Sequence, residues 1–475
     1  MIVKQGRQEI LSYLEDASNF RESEAERLYI PEDETEIIQV VKECVREKTP
    51  LTVSGGGTGT VGGRVAKDGA IISLEKLNRI ITIDPEGKRA DLQAGVVISD
   101  FLKVLEKQGL FYPPFPTERS AFIGGNVSTN ASGEYSFRFG STRKYVQRLR
   151  MVLTGGEVIE LRRGEGFERD GLIPLGRLQV PLPSYRTPQI KCTAGYYAWP
   201  GMDAIDLIIG SEGTLSIITE VSVSLIEQLP ERFIMVIFLP DDTRVLELVS
   251  LIKNDQKLTT YSLEYFCPGS LKFLQADFPE IPEGTFALYV EAESSESQLE
   301  RWVELTERFG AVETFIGDDA KNYQRLIDFR HRLPENVNSF FRKLGIVKVA
   351  ADIAVPEAAF PGQYRFYREI MAQEKMQTIL FGHIGENHLH FNFFPRTPEE
   401  KERAYRLYRA CAERAVSRGG TIAAEHGIGK IKHGWLQLMF GEKGVREMAA
   451  IKKMVDPACL LNLDNIFPRQ LLSEV

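Results

Sequence analysis

The sequence predicts an α+β protein of more than one domain, on three observations. Its 475 residues exceed what one hydrophobic core usually serves. Its first half carries a glycine-rich loop that joins one strand pattern directly to another. From about Pro230 onward, strand and helix patterns alternate as in a mostly antiparallel sheet covered by helices. The expected domains are 1–228, 229–425 and 426–475.

The elements follow in order. Ile37, Ile38, Val40, Val41, Cys44 and Val45 recur at helical spacing and predict an amphipathic helix over Thr35–Lys48. A strand, Pro50–Ser54, then runs into Gly55-Gly-Gly-Thr-Gly-Thr-Val-Gly-Gly63. Gly57, Gly59 and Gly62 satisfy GxGxxG. A dinucleotide βαβ unit, however, needs a helix straight after the glycines and an acid about 20 residues later. Here Arg64–Gly69 reads as a turn leading into a second strand, Ala70–Leu74, so the Rossmann reading is rejected. Glycines still let the backbone approach a ligand closely and leave N–H groups for phosphate oxygens. A strand over Arg89–Ala94 is followed by a helix capped at Ser99 and stopped at Gly109. Proline-rich Pro113–Thr117 is followed by Ile123–Gly133 and Phe139–Thr142, which are rich in Gly, Asn, Ser and Thr and offer uncharged hydrogen bonds suited to a large uncharged ring.

Arg162–Pro200 has no regular period and reads as an irregular excursion. Ile205–Glu220 reads as two apolar strands flanking a glycine turn, with a further strand over Val221–Leu225. Strands are then expected at Phe233–Leu239, Tyr261–Phe266, Thr285–Glu291 and Gly345–Val355. Helices are expected at Thr243–Asn254, Ser297–Phe309, Asp319–Phe341, Pro356–Gln373 and Glu399–Ser417.

Composition narrows the function. Net charge is −8 with no long basic run, which argues against nucleic acid. The five cysteines are scattered without a CxxC pair, so the sequence encodes neither an iron–sulfur cluster nor a cysteine zinc site, and the usage fits a reducing cytoplasm. No apolar signal core opens the chain and no 18-residue apolar run occurs; a soluble, cytoplasmic protein is expected, with peripheral contact at the inner face of the membrane left open.

The chemistry gathers late. Three of the six histidines, His383, His388 and His390, fall in Phe381-Gly-His-Ile-Gly-Glu-Asn-His-Leu-His-Phe-Asn-Phe393, and His426 follows an acid in Glu425-His426. Imidazole and carboxylate together are ligands for borderline-soft divalent ions. Read as a strand, this stretch puts His388, His390 and Asn392 on one face and Leu389, Phe391 and Phe393 on the other.

With those residues in hand, the chain resembles the flavin-dependent D-2-hydroxyacid dehydrogenases. These are the flavin-type D-lactate dehydrogenase, glycolate oxidase FAD-subunit and D-2-hydroxyglutarate dehydrogenase branch of the vanillyl-alcohol-oxidase superfamily. The motifs match in order: Gly56–Gly63, Ile123-Gly-Gly-Asn126, Gly210-Ser-Glu-Gly-Thr214, Gly382-His-Ile-Gly385 and Gly420–Gly429. The resemblance implies an FAD-binding PCMH/VAO-type domain of two α+β subdomains, an antiparallel-sheet α+β cap, and a C-terminal helical segment returning to the flavin domain. It implies FAD contacts at Gly55, Gly56, Gly57, Thr58, Gly59, Gly62, Pro116, Thr117, Gly124, Gly125, Asn126, Thr129, Asn130, Gly133, Glu212, Gly213, Ile217, Ile218 and Asn462. FAD is expected to be noncovalent, because no histidine precedes His331 to tether it.

By the same resemblance a divalent metal, zinc or manganese, is held by His383, His390 and Glu425. His426 is the catalytic base and Arg330 grips the substrate carboxylate, with Arg332 the runner-up; Lys348 is a weaker candidate for a second carboxylate. The usual pattern, H-x-G-D-G-N-x-H, becomes His383-Ile-Gly-Glu-Asn-His-Leu-His390 here, making His388 an additional imidazole. The implied partners are a small 2-hydroxy acid and an electron acceptor, which is a quinone, electron-transfer flavoprotein, cytochrome or iron–sulfur protein; a homodimer is the commonest expectation. The alternatives are a non-redox flavoprotein transferase resembling alkylglycerone-phosphate synthase, and a flavin subunit working within a larger oxidoreductase.

Overall fold

A computed structural model describes residues 1–18, 20–345 and 348–475. The chain folds as two compact units. One comprises Met1–Gly133, Ser141–Gln228 and Ala423–Val475, the other Glu134–Gly140 and Leu229–Ile422. The sequence reading draws its boundaries after residues 228 and 425; contacts divide the chain after Gln228 and Ile422 and assign Glu134–Gly140 to the second unit.

The first unit is built on two sheets. Leu51–Ser54 and Ala70–Ser73 pair in parallel, and Arg27–Ile30 pairs in parallel with the other side of Ala70–Ser73. Residues 55–69, which connect the first pair, contain no helix. That is the strand-to-strand passage expected in place of a Rossmann crossover. The Glu34–Glu47 helix is capped by Asp33, whose side chain accepts the Glu36 N–H, and buries Ile37, Val40, Val41 and Cys44. The second sheet is antiparallel, in the order Ile80–Asp84, Arg89–Gln93, Ile217–Ser224, Val146–Val152, Val158–Arg162.

Two stretches depart from the sequence reading. Ile205–Ile208, expected as a strand, is a single helical turn; a four-residue segment, Ile-Asp-Leu-Ile, is too short to carry a usable period. Within the excursion, Leu172–Leu175 and Leu178–Pro181 form an antiparallel hairpin.

The second unit is a seven-stranded antiparallel sheet, in the order Glu313–Gly317, Arg232–Leu239, Phe286–Glu293, Thr260–Phe266, Thr378–Gly382, His388–Phe393, Val349–Ala354. Of the strand expected at Gly345–Val355, Ile346 and Val347 lie outside the described residues, and the observed strand begins at Val349. Helices Asp242–Asn254, Glu296–Arg308, Ala320–Leu344 and Phe360–Gln373 pack in this unit, each with an apolar stripe turned inward. Trp302, Phe329, Tyr364 and Tyr367 are fully buried there, which is why the central strands read as continuous apolar runs.

Candidate functional site

In the first unit the glycine loop passes close to one of the other expected cofactor residues, Gly125. A Cβ placed on Gly55 would lie 3.9 Å from Gly125 Cα, so the loop passes the start of the Ile123–Thr129 helix. A Cβ on Gly56 would meet Ser120 O at 2.8 Å, and one on Gly133 would meet Phe115 O at 1.9 Å. Both positions need glycine because backbone, which cannot yield, lies opposite. Gly57 and Gly62 have φ of +79° and +74°, a conformation costly for side chains. Arg64 fastens the loop by donating to Gly55 O (3.1 Å) and Ser12 O (2.6 Å). Thr58 and Gly59 lie farther along the loop, where Gly59 is exposed.

Gly124 N–H donates to Ala94 O (2.8 Å), locking the helix to the antiparallel sheet. Gly125, by contrast, faces open space, with no atom within 4 Å of an added Cβ. Beside it, Asn126 is 4% exposed, yet its Nδ2 has no hydrogen-bond partner among the described residues. A buried amide without a partner is costly in a finished interior. The open glycine and the orphaned amide together fit a bound polar ring, so these residues suit FAD.

The remaining expected contacts divide by what already engages them. Thr129 Oγ1 donates to Gly125 O (3.0 Å), and Asn130 Oδ1 accepts the Arg143 N–H (3.0 Å). Pro116 is buried, Thr117 is exposed, and Ile217 and Ile218 open the central strand of the sheet. Asn462 accepts the Val53 N–H at 2.8 Å and donates to Glu212 O at 3.1 Å, while a Cβ on Gly213 would meet its amide at 2.8 Å. The tail thereby ties the first strand of the loop to the Gly-Ser-Glu-Gly turn. Glu212 itself accepts the N–H groups of Ile428 and Gly429, each at 2.7 Å. Burial pushes the Glu212 carboxyl up, and those two N–H groups pull it back.

Glu425 and His426 belong to this first unit. Glu425 Oε2 lies 2.7 Å from Lys191 Nζ, and Glu425 Oε1 lies 3.7 Å from His426 Nε2. Lys191 is 4% exposed at its side chain and His426 is 37% exposed.

In the second unit the three histidines come together. His383 ends the Thr378–Gly382 strand and caps a one-turn helix; His388 and His390 open the next strand on one face. Ring centroids are 5.2 Å apart for His383–His388, 5.5 Å for His383–His390 and 4.6 Å for His388–His390. Each ring offers one nitrogen within 4.8 Å of the others'. Gly382, at φ +120°, is needed here because a Cβ would strike His390 Cδ2 at 2.8 Å. Asn392, on the same face, is 1% exposed, and its amide has no hydrogen-bond partner among the described residues.

Carboxylates hold this cluster from behind. His383 Nδ1 is 3.0 Å from Glu264 Oε1, and His388 Nε2 is 2.9 Å from Asp352 Oδ1. Arg330 donates to Glu264 through Nη2 (2.9 Å) and Nε (3.1 Å), and its Nη1 lies 3.3 Å from Glu134. Burial alone would raise the Glu264 carboxyl, but the charges of His383 and Arg330 hold it well below the usual range. Burial alone would likewise lower the Arg330 guanidinium, and Glu264 and Glu134 more than reverse that. His331 joins the network at 2.8 Å from Glu134 Oε1. Arg332 is exposed and pairs only loosely with Glu335 (3.9 Å), and Lys348 Nζ meets Asn338 Oδ1 at 3.3 Å.

Sequence reasoning missed Glu134, Glu264, Asp352 and Lys191. Glu264 and Asp352 left a signal, each the single charged residue of its strand, Thr260–Phe266 and Val349–Ala354.

Residues 25–162 match the family described as FAD binding domain, and residues 230–466 the one described as FAD linked oxidases, C-terminal domain. The chain is 28% identical to the glycolate oxidase subunit GlcD of Bacillus subtilis over 472 residues, covering 97% of this chain and 92% of that one. It is 29% identical to a D-lactate dehydrogenase of Anaerostipes hadrus, covering 90% and 86% of the two chains. It is 27% identical to a D-2-hydroxyglutarate dehydrogenase of Xanthomonas citri, covering 92% and 88%. Among solved structures, an alkyldihydroxyacetonephosphate synthase shares the fold at a TM-score of 0.68 and 15% identity, over 97% of this chain and 82% of that one.

Proposed function

Because the chain belongs to the FAD-linked oxidases, we propose that it oxidises a lactate- or glycolate-like D-2-hydroxy acid to the 2-oxo acid and passes the electrons to a separate acceptor. The observation that carries this reading is the cluster of His383, His388 and His390, backed by buried carboxylates. In the proposal, His383, His390 and Glu425 hold a divalent ion, zinc or manganese. The residues from Gly55 to Gly62, Gly124 to Gly133, Glu212–Gly213, Ile217–Ile218 and Asn462 hold FAD. When bound, the ion supplies positive charge that acidifies a coordinated hydroxyl, and FAD supplies the hydride acceptor.

The chain's own residues do the rest. His426 accepts the hydroxyl proton on a ring nitrogen, the general-base task to which an imidazole is suited near neutrality. Arg330, held in place by Glu264 and Glu134, contacts the substrate carboxylate. A quinone, electron-transfer flavoprotein, cytochrome or iron–sulfur protein takes the electrons onward; a cytoplasmic homodimer is proposed. No helix among the described residues is long and apolar enough to cross a membrane.

One further reading has specific support. The relative GlcD is named a subunit, which favours a flavin-carrying subunit of a larger oxidoreductase. The synthase likeness concerns fold alone, and a non-redox transferase leaves Glu425 without a task. Anaerobic mixing with D-lactate, glycolate and D-2-hydroxyglutarate, each with and without EDTA, tests the proposal. Bleaching of the flavin band that EDTA suppresses is expected. A flavin that stays oxidised with every hydroxy acid would sink the dehydrogenase reading.

A further inference from the structure

We infer that His388 is a metal ligand in its own right, so that this chain binds its divalent ion through three imidazoles. The inference rests on the metal reading proposed above and extends it to a residue outside the set of His383, His390 and Glu425.

The geometry argues as follows. His388 is fully buried, and its ring is 4.6 Å from His390 and 5.2 Å from His383, centroid to centroid. The strand alternates, so His388 and His390 project from the same face, and pairing of Ala354 with His388 and Asp352 with His390 fixes that register. Three imidazoles this close, each with a nitrogen within 4.8 Å of the others', present three nitrogen donors to one divalent ion.

The carboxylates point the same way. Metal-bound imidazoles are oriented by a carboxylate or carbonyl on their other nitrogen. Glu264 is hydrogen-bonded to His383 Nδ1 at 3.0 Å, and Asp352 Oδ1 stands 2.9 Å from His388 Nε2, close enough to pair without hydrogen-bond alignment, so a carboxylate stands beside both rings.

A third imidazole has a consequence for the choice of ion. Nitrogen ligands favour later first-row ions such as cobalt, nickel and zinc, whereas oxygen-rich sets suit manganese. His388 therefore biases the site toward zinc or cobalt over manganese.

The test strips the full-length flavoprotein of metal and titrates it separately with Zn²⁺, Co²⁺ and Mn²⁺, reading bound metal by equilibrium dialysis and elemental analysis. His388→Asn is expected to weaken Zn²⁺ and Co²⁺ binding by at least about 10-fold, in the range found when the groups supporting a metal site are lost, and Mn²⁺ binding by less. His390→Asn, in parallel, is expected to weaken all three ions strongly. If His390→Asn weakens binding while His388→Asn leaves Zn²⁺ affinity within twofold, the inference falls and the metal reading stands. If neither variant changes binding, the metal reading falls and takes the inference with it. Should His388→Asn fail to fold, pulsed EPR of the Cu²⁺-loaded wild type counts coupled imidazole nitrogens: three rings support the inference and two overturn it.

Discussion

Glu212 and Ile428 are joined by a 2.7 Å hydrogen bond, backbone N–H to carboxylate, across 216 residues of chain. The Gly-Ser-Glu-Gly turn and the Glu-His-Gly-Ile-Gly turn, separate motifs in sequence, are thus one buried structure, with Gly429 N–H completing the pair on Oε2. Glu212→Ala leaves two buried N–H groups without an acceptor. It should cost roughly 3 kcal/mol and lower the thermal midpoint, whereas Glu212→Gln, which keeps one acceptor oxygen, should cost less. Equal midpoints for the two variants would contradict this.

The two glycines flanking Asn126 and Asn130 separate cofactor binding from folding. Gly133→Ala drives a Cβ into Phe115 O at 1.9 Å and should reduce soluble, folded protein. Gly125→Val meets no protein atom within 4 Å of its Cβ, so the chain should fold with a wild-type circular dichroism spectrum. Its flavin absorbance per chain after gel filtration should nevertheless fall sharply. Full flavin occupancy in Gly125→Val would remove that face from the FAD site.

Lys452 and Asp456 are an ion pair at 1% and 0% side-chain exposure. Lys452 also donates to Thr214 O and Leu461 O, at 2.6 and 2.8 Å, while Asp456 accepts the Leu460 and Leu461 N–H groups. Lys452→Met strands a buried carboxylate and should cost about 3–5 kcal/mol. Adding Asp456→Asn, which keeps an acceptor for the amides, should recover part of that loss. Urea midpoints of the single and double variants provide the measurement.

Asp464 gives the pH dependence of the tail. Burial raises its carboxyl, but the Arg469 N–H (2.9 Å) and guanidinium (2.7 Å) outweigh burial and hold it below the ordinary range. A depressed carboxylate contributes stability above its unfolded pKa of about 3.9, and that contribution disappears as pH falls through the folded value. Between neutral pH and about pH 3, the wild type should therefore lose more thermal stability than Asp464→Asn. Parallel curves for the two proteins would refute the assignment.

His426→Ala should slow flavin bleaching by the 10²–10⁴-fold typical of a lost general base while leaving flavin content unchanged. EDTA should slow the wild type in the same assay. A variant that bleaches at the wild-type rate would move the base elsewhere.

Much of this was legible in one dimension. Leu389, Phe391 and Phe393 alternate with His388, His390 and Asn392, and a period of two places them on opposite faces whatever surrounds the strand. The missing helix after Gly62 excluded a Rossmann unit for the same local reason. Ile205–Ile208 was misread because four residues, three of them apolar, are too few to separate the two periods.

The sequence by itself determined which donor types the chain offers and which face of each strand presents them, because backbone periodicity is a local property. Only the tertiary structure decided which carboxylate stands behind which imidazole. Glu264 lies 119 residues from His383 and Glu134 lies 197 from His331. Hydrogen bonds and ion pairs depend on separation in space, and no spacing along the chain encodes that.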